Sequence, residues 1–144
     1  MPSSILVVED HPDVRNVLIE ALTEAGGYAA YGACDVGSAR TLIETFFPGP
    51  DLILLDTWLP DGNGIEFCAS LRLQGIYLPI IVLSGLASRD AIERAFEAGA
   101  DDYLVKPISV SILLEHVAAQ LRHGGPKRDR RVVPRERATC LTIR

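Results

Sequence analysis

Residues 50–64 read PDLILLDTWLPDGNG, and the fold follows from them. Leu52-Ile53-Leu54-Leu55 is an unbroken apolar run that ends at Asp56. Pro60, Asp61, Gly62, Asn63 and Gly64 come next, residue types that favour turns and do not continue a strand. An apolar run of this length between turn signals predicts a strand buried on both faces of a parallel sheet. Ligand sites in open α/β sheets lie just past the carboxyl ends of the strands. Asp56 therefore stands where such folds do their chemistry. Read by itself, the stretch also fits an Asp that merely caps a turn.

Working outward, Ser4 to Val8 is a second apolar run, ending at Glu9-Asp10. After Pro12, Val14, Val17, Leu18, Ala21, Leu22 and Ala25 recur at helical spacing. Gly26-Gly27 closes that helix. Tyr28 to Ala33 predicts a short strand, and Val36 to Phe47 a helix with Ala39, Leu42, Ile43 and Phe46 inward. Beyond the central strand, Ile65 to Gln74 predicts a helix with Phe67, Cys68 and Leu71 in the core. Pro79 to Leu83 predicts a fourth strand, ending at Ser84. Ser88 is a natural N-cap for a helix with Ala91, Ile92, Ala95 and Phe96 inward. Asp102 to Val105 predicts a fifth strand, ending at Lys106-Pro107, and Val110, Leu113, Leu114, Val117 and Leu121 mark a last helix. Strand and helix alternate five times, which implies a parallel sheet with helices on both faces and right-handed crossovers.

The totals agree with one domain and a tail. Residues 1–122 carry 7 Lys and Arg against 17 Asp and Glu, whereas 123–144 carry 7 basic and 2 acidic residues. The expected division is an acidic folded body, 1–122, and a basic linker or disordered tail, 123–144. With 48% hydrophobic residues the full chain has enough apolar mass for a core. No apolar run reaches about 18 residues, so no membrane span is expected. MPSSILVVED has no basic leader region, so no signal peptide is expected. Cys34, Cys68 and Cys140 form no CxxC pair; reduced thiols in the cytoplasm are expected, with Cys34 and Cys68 as small core residues.

Aligning the strand ends brings Glu9, Asp10, Asp56, Ser84 and Lys106 to one edge of the sheet. Taken singly, each has a plain structural reading. Glu9-Asp10 suits a helix N-terminus, Ser84 a turn, and Lys106-Pro107 a strand end followed by a helix start. Jointly they describe an acidic pocket with one hydroxyl and one ammonium. Two carboxylates about 4 Å apart repel by roughly 4 kcal/mol at an effective dielectric near 20, so a proton or a cation must relieve them. Mg²⁺ takes hard oxygen ligands and binds through carboxylates together with phosphate oxygens. A carboxylate is also a competent phosphoryl acceptor, and phosphoryl transfer asks mainly for positioning and charge stabilisation.

Four segments, ILVVEDHPDVR, DLILLDTWLPDGNGIEF, PIIVLSG and GADDYLVKPI, resemble the receiver domain of two-component response regulators, the CheY-like superfamily. The resemblance covers residues 4 to about 122. It implies a flavodoxin-like (βα)5 fold with strand order 2-1-3-4-5. It further implies Asp56 as phosphoacceptor, Glu9, Asp10 and Asp56 with the backbone carbonyl of Trp58 around Mg²⁺, Ser84 and Lys106 on the phosphoryl group, and Ser84 with Tyr103 as the switch pair. The face formed by the fourth helix, fifth strand and fifth helix would change on phosphorylation. The implied role is signalling rather than enzymatic. The donor would be a sensor histidine kinase or phosphotransfer protein, and the output a homodimer or a partner. A receiver-like module that binds without phosphorylation is the alternative.

Two other chemistries fit the architecture less well. An aspartyl phosphatase usually places a second carboxylate two residues past its nucleophile, and here that residue is Trp58. A flavin site would set a phosphate against acidic strand ends. The tail residues Lys127, Arg128, Arg130, Arg131, Arg135 and Arg137 suit a solvated linker better than a nucleic-acid contact, so nucleic acid is expected only indirectly or weakly through the tail.

Overall fold

The computed structural model of the chain describes residues 2–46 and 49–129, with side chains through 123. Five strands, β1 (Ser4–Val8), β2 (Ala29–Ala33), β3 (Leu52–Asp56), β4 (Ile80–Ser84) and β5 (Asp102–Val105), form one sheet. Every pairing is parallel, and the order is β2-β1-β3-β4-β5. The helices are α1 (Pro12–Glu20), α2 (Val36–Thr45), α3 (Gly64–Leu73), α4 (Arg89–Glu97) and α5 (Val110–Asp129). This is the flavodoxin-like doubly wound arrangement that the receiver-domain resemblance implies.

The apolar runs explain the layering. β3 and β4 are buried along their whole length, as a central parallel strand must be. Successive side chains point to opposite faces. Leu6, Val8, Ile53, Leu55, Ile80 and Val82 therefore pack with Ala39, Phe67, Cys68, Leu71 and Ala95 under α2, α3 and α4. Ile5, Val7, Leu52, Leu54, Ile81 and Leu83 pack with Leu18, Leu22, Leu113 and Val117 under α1 and α5. The edge strands β2 and β5 are only partly covered.

Several apolar positions are exposed, and for Phe46, Phe96 and Cys34 this corrects an inward assignment. Val14 and Val17 are exposed, and both line an apolar groove of about 480 Å³ between α1 and the segment Lys106-Pro107-Ile108. Ala25 is exposed because α1 continues into a π-helical turn, Ala21–Ala25, where Gly26 N–H bonds Ala21 O at 3.2 Å. The extra residue per turn rotates the following positions off the helical stripe. Phe46 is exposed at the C-cap of α2, and Phe47 lies outside the described residues. Phe96 is exposed on α4, and Cys34 is exposed rather than in the core. Ser88 does cap α4, accepting from Ala91 N–H at 3.2 Å. Helix α5 runs across the boundary expected at 122, and residues 130–144 of the expected tail lie outside the described residues.

At the amino edge of the sheet, Arg72 ties α3 to two loops. Its guanidinium donates to the carbonyls of Gly99, Ile76 and Leu78 and pairs with Asp101 at 2.9 Å. The same Asp101 oxygen accepts from Ile80 N–H. Gly99, at φ 108°, is needed there because a Cβ would lie 2.6 Å from Arg72 Cγ. Arg72→Ala removes the cation paired with Asp101 and the donor to three carbonyls. It is expected to cost about 3 kcal/mol, read as a lower urea midpoint at unchanged m-value.

Candidate functional site

Strand register brings the polar residues together. Val8 lies opposite Leu55, so Glu9 and Asp56 follow side by side on adjacent strands. Asp56 lies opposite Leu83 and Ser84 opposite Val105, which sets Ser84 and Lys106 along the same carboxyl edge. Glu9 N–H continues the ladder to Ala33 O, and Lys106 N–H to Ser84 O. Among the described residues Glu9, Asp56, Thr57 and Ser84 are the buried polar ones, while Asp10 is exposed.

One ligand atom from each of Glu9, Asp10 and Asp56 lies within 4.8 Å of the others. Lys106 Nζ reaches Glu9 Oε1 at 2.8 Å and Asp56 Oδ1 at 3.6 Å. Asp56 Oδ1 also accepts from Thr57 N–H at 2.8 Å. Burial, then the charge of Glu9, pushes the Asp56 carboxyl up to about 6, against the opposing pull of Lys106 and the Thr57 amide. Burial works against the Lys106 ammonium too, but its bond to Glu9 and the charge of Asp56 outweigh this and hold it above its usual value. Three hard oxygen donors held this close, with one ammonium among them, fit a divalent cation such as Mg²⁺.

The loop after Asp56 is a small antiparallel hairpin, Trp58–Leu59 against Gly62–Asn63. Gly64 N–H closes it on Thr57 O at 2.8 Å. Only glycine fits at 64, because a Cβ would overlap the backbone carbonyl of Asp56. Asn63 caps α3, and Asp61 accepts from Val36 and Gly37 N–H, fastening the hairpin tip to the start of α2. Trp58 is 65% exposed and lines a cavity of about 230 Å³ with Thr57, Leu86 and Tyr103.

Ser84 is fully buried. Its Oγ accepts from Leu86 N–H at 3.1 Å and from the Thr57 hydroxyl at 3.3 Å. Tyr103 O–H donates to Leu86 O at 2.7 Å, so a single residue is hydrogen-bonded to both switch candidates. Glu9, Asp10, Asp56 and Lys106 thus form one cluster. Ser84 joins it through Thr57, whereas Tyr103 and the Trp58 ring lie to one side. Thr57, Leu86 and Arg15, which donates to Glu9 O at 2.8 Å, had no distinguishing pattern in the chain.

Comparison with known proteins agrees with this geometry. The family model for the response regulator receiver domain matches residues 5–118. A probable transcriptional regulatory protein of Picosynechococcus sp. is 39% identical over 123 residues, covering 82% of this chain and 49% of that protein. The KDP operon transcriptional regulatory protein KdpE of Escherichia coli is 41% identical over 120 residues, covering 83% and 52%. The chain therefore spans about half the length of these curated relatives. The crystal structure of a CheY-like response regulator receiver domain protein from Methanospirillum hungatei superposes with a TM-score of 0.78 at 29% identity, over 86% of this chain and 97% of that one.

The raised Asp56 value sets a pH dependence in Mg²⁺-free buffer. The folded carboxyl holds its proton up to about 6 and the unfolded one only to 3.8. The native state therefore binds the extra proton between those values, and stability falls as pH rises through this window. Asp56→Asn removes the effect. At pH 7.5 the variant is expected to be about 2 kcal/mol more stable than the natural chain, with the gap closing toward pH 4 in urea titrations.

Proposed function

The chain belongs to the response regulator receiver domain family, and from that membership we propose that it is a phosphorylation switch in which Asp56 accepts a phosphoryl group from a sensor histidine kinase or a phosphotransfer protein. The carboxylate cluster at the sheet edge, with Lys106 bridging Glu9 and Asp56, carries this reading. An Asp56 titrating near 6 is ionised at neutral pH yet poorly solvated, which suits a nucleophile. An Asp56 oxygen forms the new O–P bond as the donor's N–P bond breaks in line with it, and the bond's electron pair goes to an imidazole that leaves neutral because its other ring nitrogen carries a proton. Lys106 pairs with the phosphoryl oxygens once its hold on Asp56 is loosened. Ser84 accepts both of its hydrogen bonds, so its own O–H is the donor for another phosphoryl oxygen.

Glu9, Asp10 and Asp56 would hold Mg²⁺, with the backbone carbonyl of Trp58 as a further ligand. The ion supplies charge neutralisation for the transferred group. The exposed Trp58 ring offers no acid to hydrolyse the product, in keeping with a switch rather than a phosphatase. A shift of Ser84 toward the phosphoryl group draws on Leu86 and thereby on Tyr103. The surface that responds is α4-β5-α5, where Phe96, Val105 and Ile112 expose apolar area suited to a second copy or an output partner. The setting is cytoplasmic, and any effect on nucleic acid is indirect. Among the described residues no helix is long and apolar enough to cross a membrane.

The test is intact mass after incubation with a small-molecule phosphodonor, with and without Mg²⁺. One added phosphoryl group is expected in the natural chain with Mg²⁺ and none in Asp56→Asn. Neither adduct nor phosphate release would favour a binding module that works unphosphorylated. Asp10→Asn is expected to weaken Mg²⁺ at least tenfold by calorimetry. Lys106→Ala should still bind Mg²⁺ but lose the phosphorylation-dependent change in oligomeric state.

A further inference from the structure

The β1 ladder ends at Glu9, and the carbonyls of Glu9 and Asp10 point beyond it with no strand partner. Arg15, from the first turns of α1, reaches back to both. Its Nη1 donates to Glu9 O at 2.8 Å and to Asp10 O at 3.4 Å. To get there the Arg15 stem crosses β2 at Gly32. A Cβ on Gly32 would lie 2.8 Å from Arg15 Cδ and 3.1 Å from Cγ. Gly32 has no turn to make, since it sits inside β2, opposite Val7. Glycine in a strand interior is unfavourable, and it often marks the close approach of another group. Here the Arg15 stem is the nearest group, with Ile19 Cδ1 beside it at 3.1 Å.

We propose that Arg15, seated in the slot left by Gly32, is a positioning residue that holds the Glu9-Asp10 backbone so that both carboxylates converge with Asp56. Arg15 touches no carboxylate of the cluster and no transferred group. It acts through the main chain, with one guanidinium nitrogen serving both adjacent carbonyls. The inference rests on the proposed Mg²⁺ site, because that site is what the positioning serves.

The proposal is tested with Mg²⁺ alone as the probe, by calorimetric titration of the full chain, alongside melting in Mg²⁺-free buffer. Arg15→Ala is expected to weaken Mg²⁺ about tenfold, the range seen when partners of metal ligands are removed. Arg15→Lys should lose less, and it serves if Arg15→Ala fails to fold. Gly32→Ala should weaken Mg²⁺ in the same direction with Arg15 still present, by pushing the stem out of its slot. The double variant should then be no weaker than Arg15→Ala, because both changes act through one guanidinium. A merely structural role predicts lower melting temperatures at unchanged Mg²⁺ affinity, and that result overturns the proposal. Full additivity of the two losses overturns it as well. A natural chain that binds no Mg²⁺ overturns the site reading and this inference with it, whereas normal binding in both the natural chain and folded Arg15→Ala overturns the inference alone.

Discussion

Two buried carboxylates, Glu9 and Asp56, share one ammonium at the carboxyl edge of the sheet. Like charges about 4 Å apart cost roughly 4 kcal/mol at an effective dielectric near 20, and burial adds to the cost. The protein does not escape by moving them apart, because parallel register places both one residue past paired strand positions. It responds instead by raising the Asp56 pKa and by drawing Lys106 in from the edge strand. Such a cluster is poised to take a cation or a positively compensated anion. Its chemistry comes from the tension between charge and burial.

Rigid surroundings maintain that tension. β1, β3 and β4 are apolar almost throughout and pack against helices on both faces, so their ends cannot drift apart. The turn after Asp56 is held by Gly64, which lies too close to the Asp56 carbonyl for any other residue, and by Asp61 at the start of α2. Arg15 secures the other side from α1. The Arg72 network closes the opposite edge and touches none of the site residues.

The contacts that lead outward from Ser84 are few by comparison. Ser84 is wholly buried, yet its link to Tyr103 passes through a single residue, Leu86, whose N–H and carbonyl serve one partner each. Leu86 itself is half exposed and lines an open cavity with Trp58 and Tyr103. On β5, Asp102 is joined to His116 of α5 at 2.6 Å.

The chain by itself determined the element order, the sheet class and the members of the carboxyl-edge cluster. Local signals suffice for these. Continuous apolar runs such as 52–55 and 80–83 specify central strands, and each polar residue ending a run is carried to the same edge by parallel topology. Helical faces were less legible. Val14 and Val17 keep the right period but face a groove, and a π turn put Ala25 out of phase. Supporting contacts were invisible for a different reason. Arg15 against Gly32, Arg72 against Gly99, and Thr57 and Leu86 around Ser84 join residues whose local sequence carries no pattern. Only the tertiary structure decides them, because they depend on which backbone groups the ladder leaves unpaired and which side chain lies within reach.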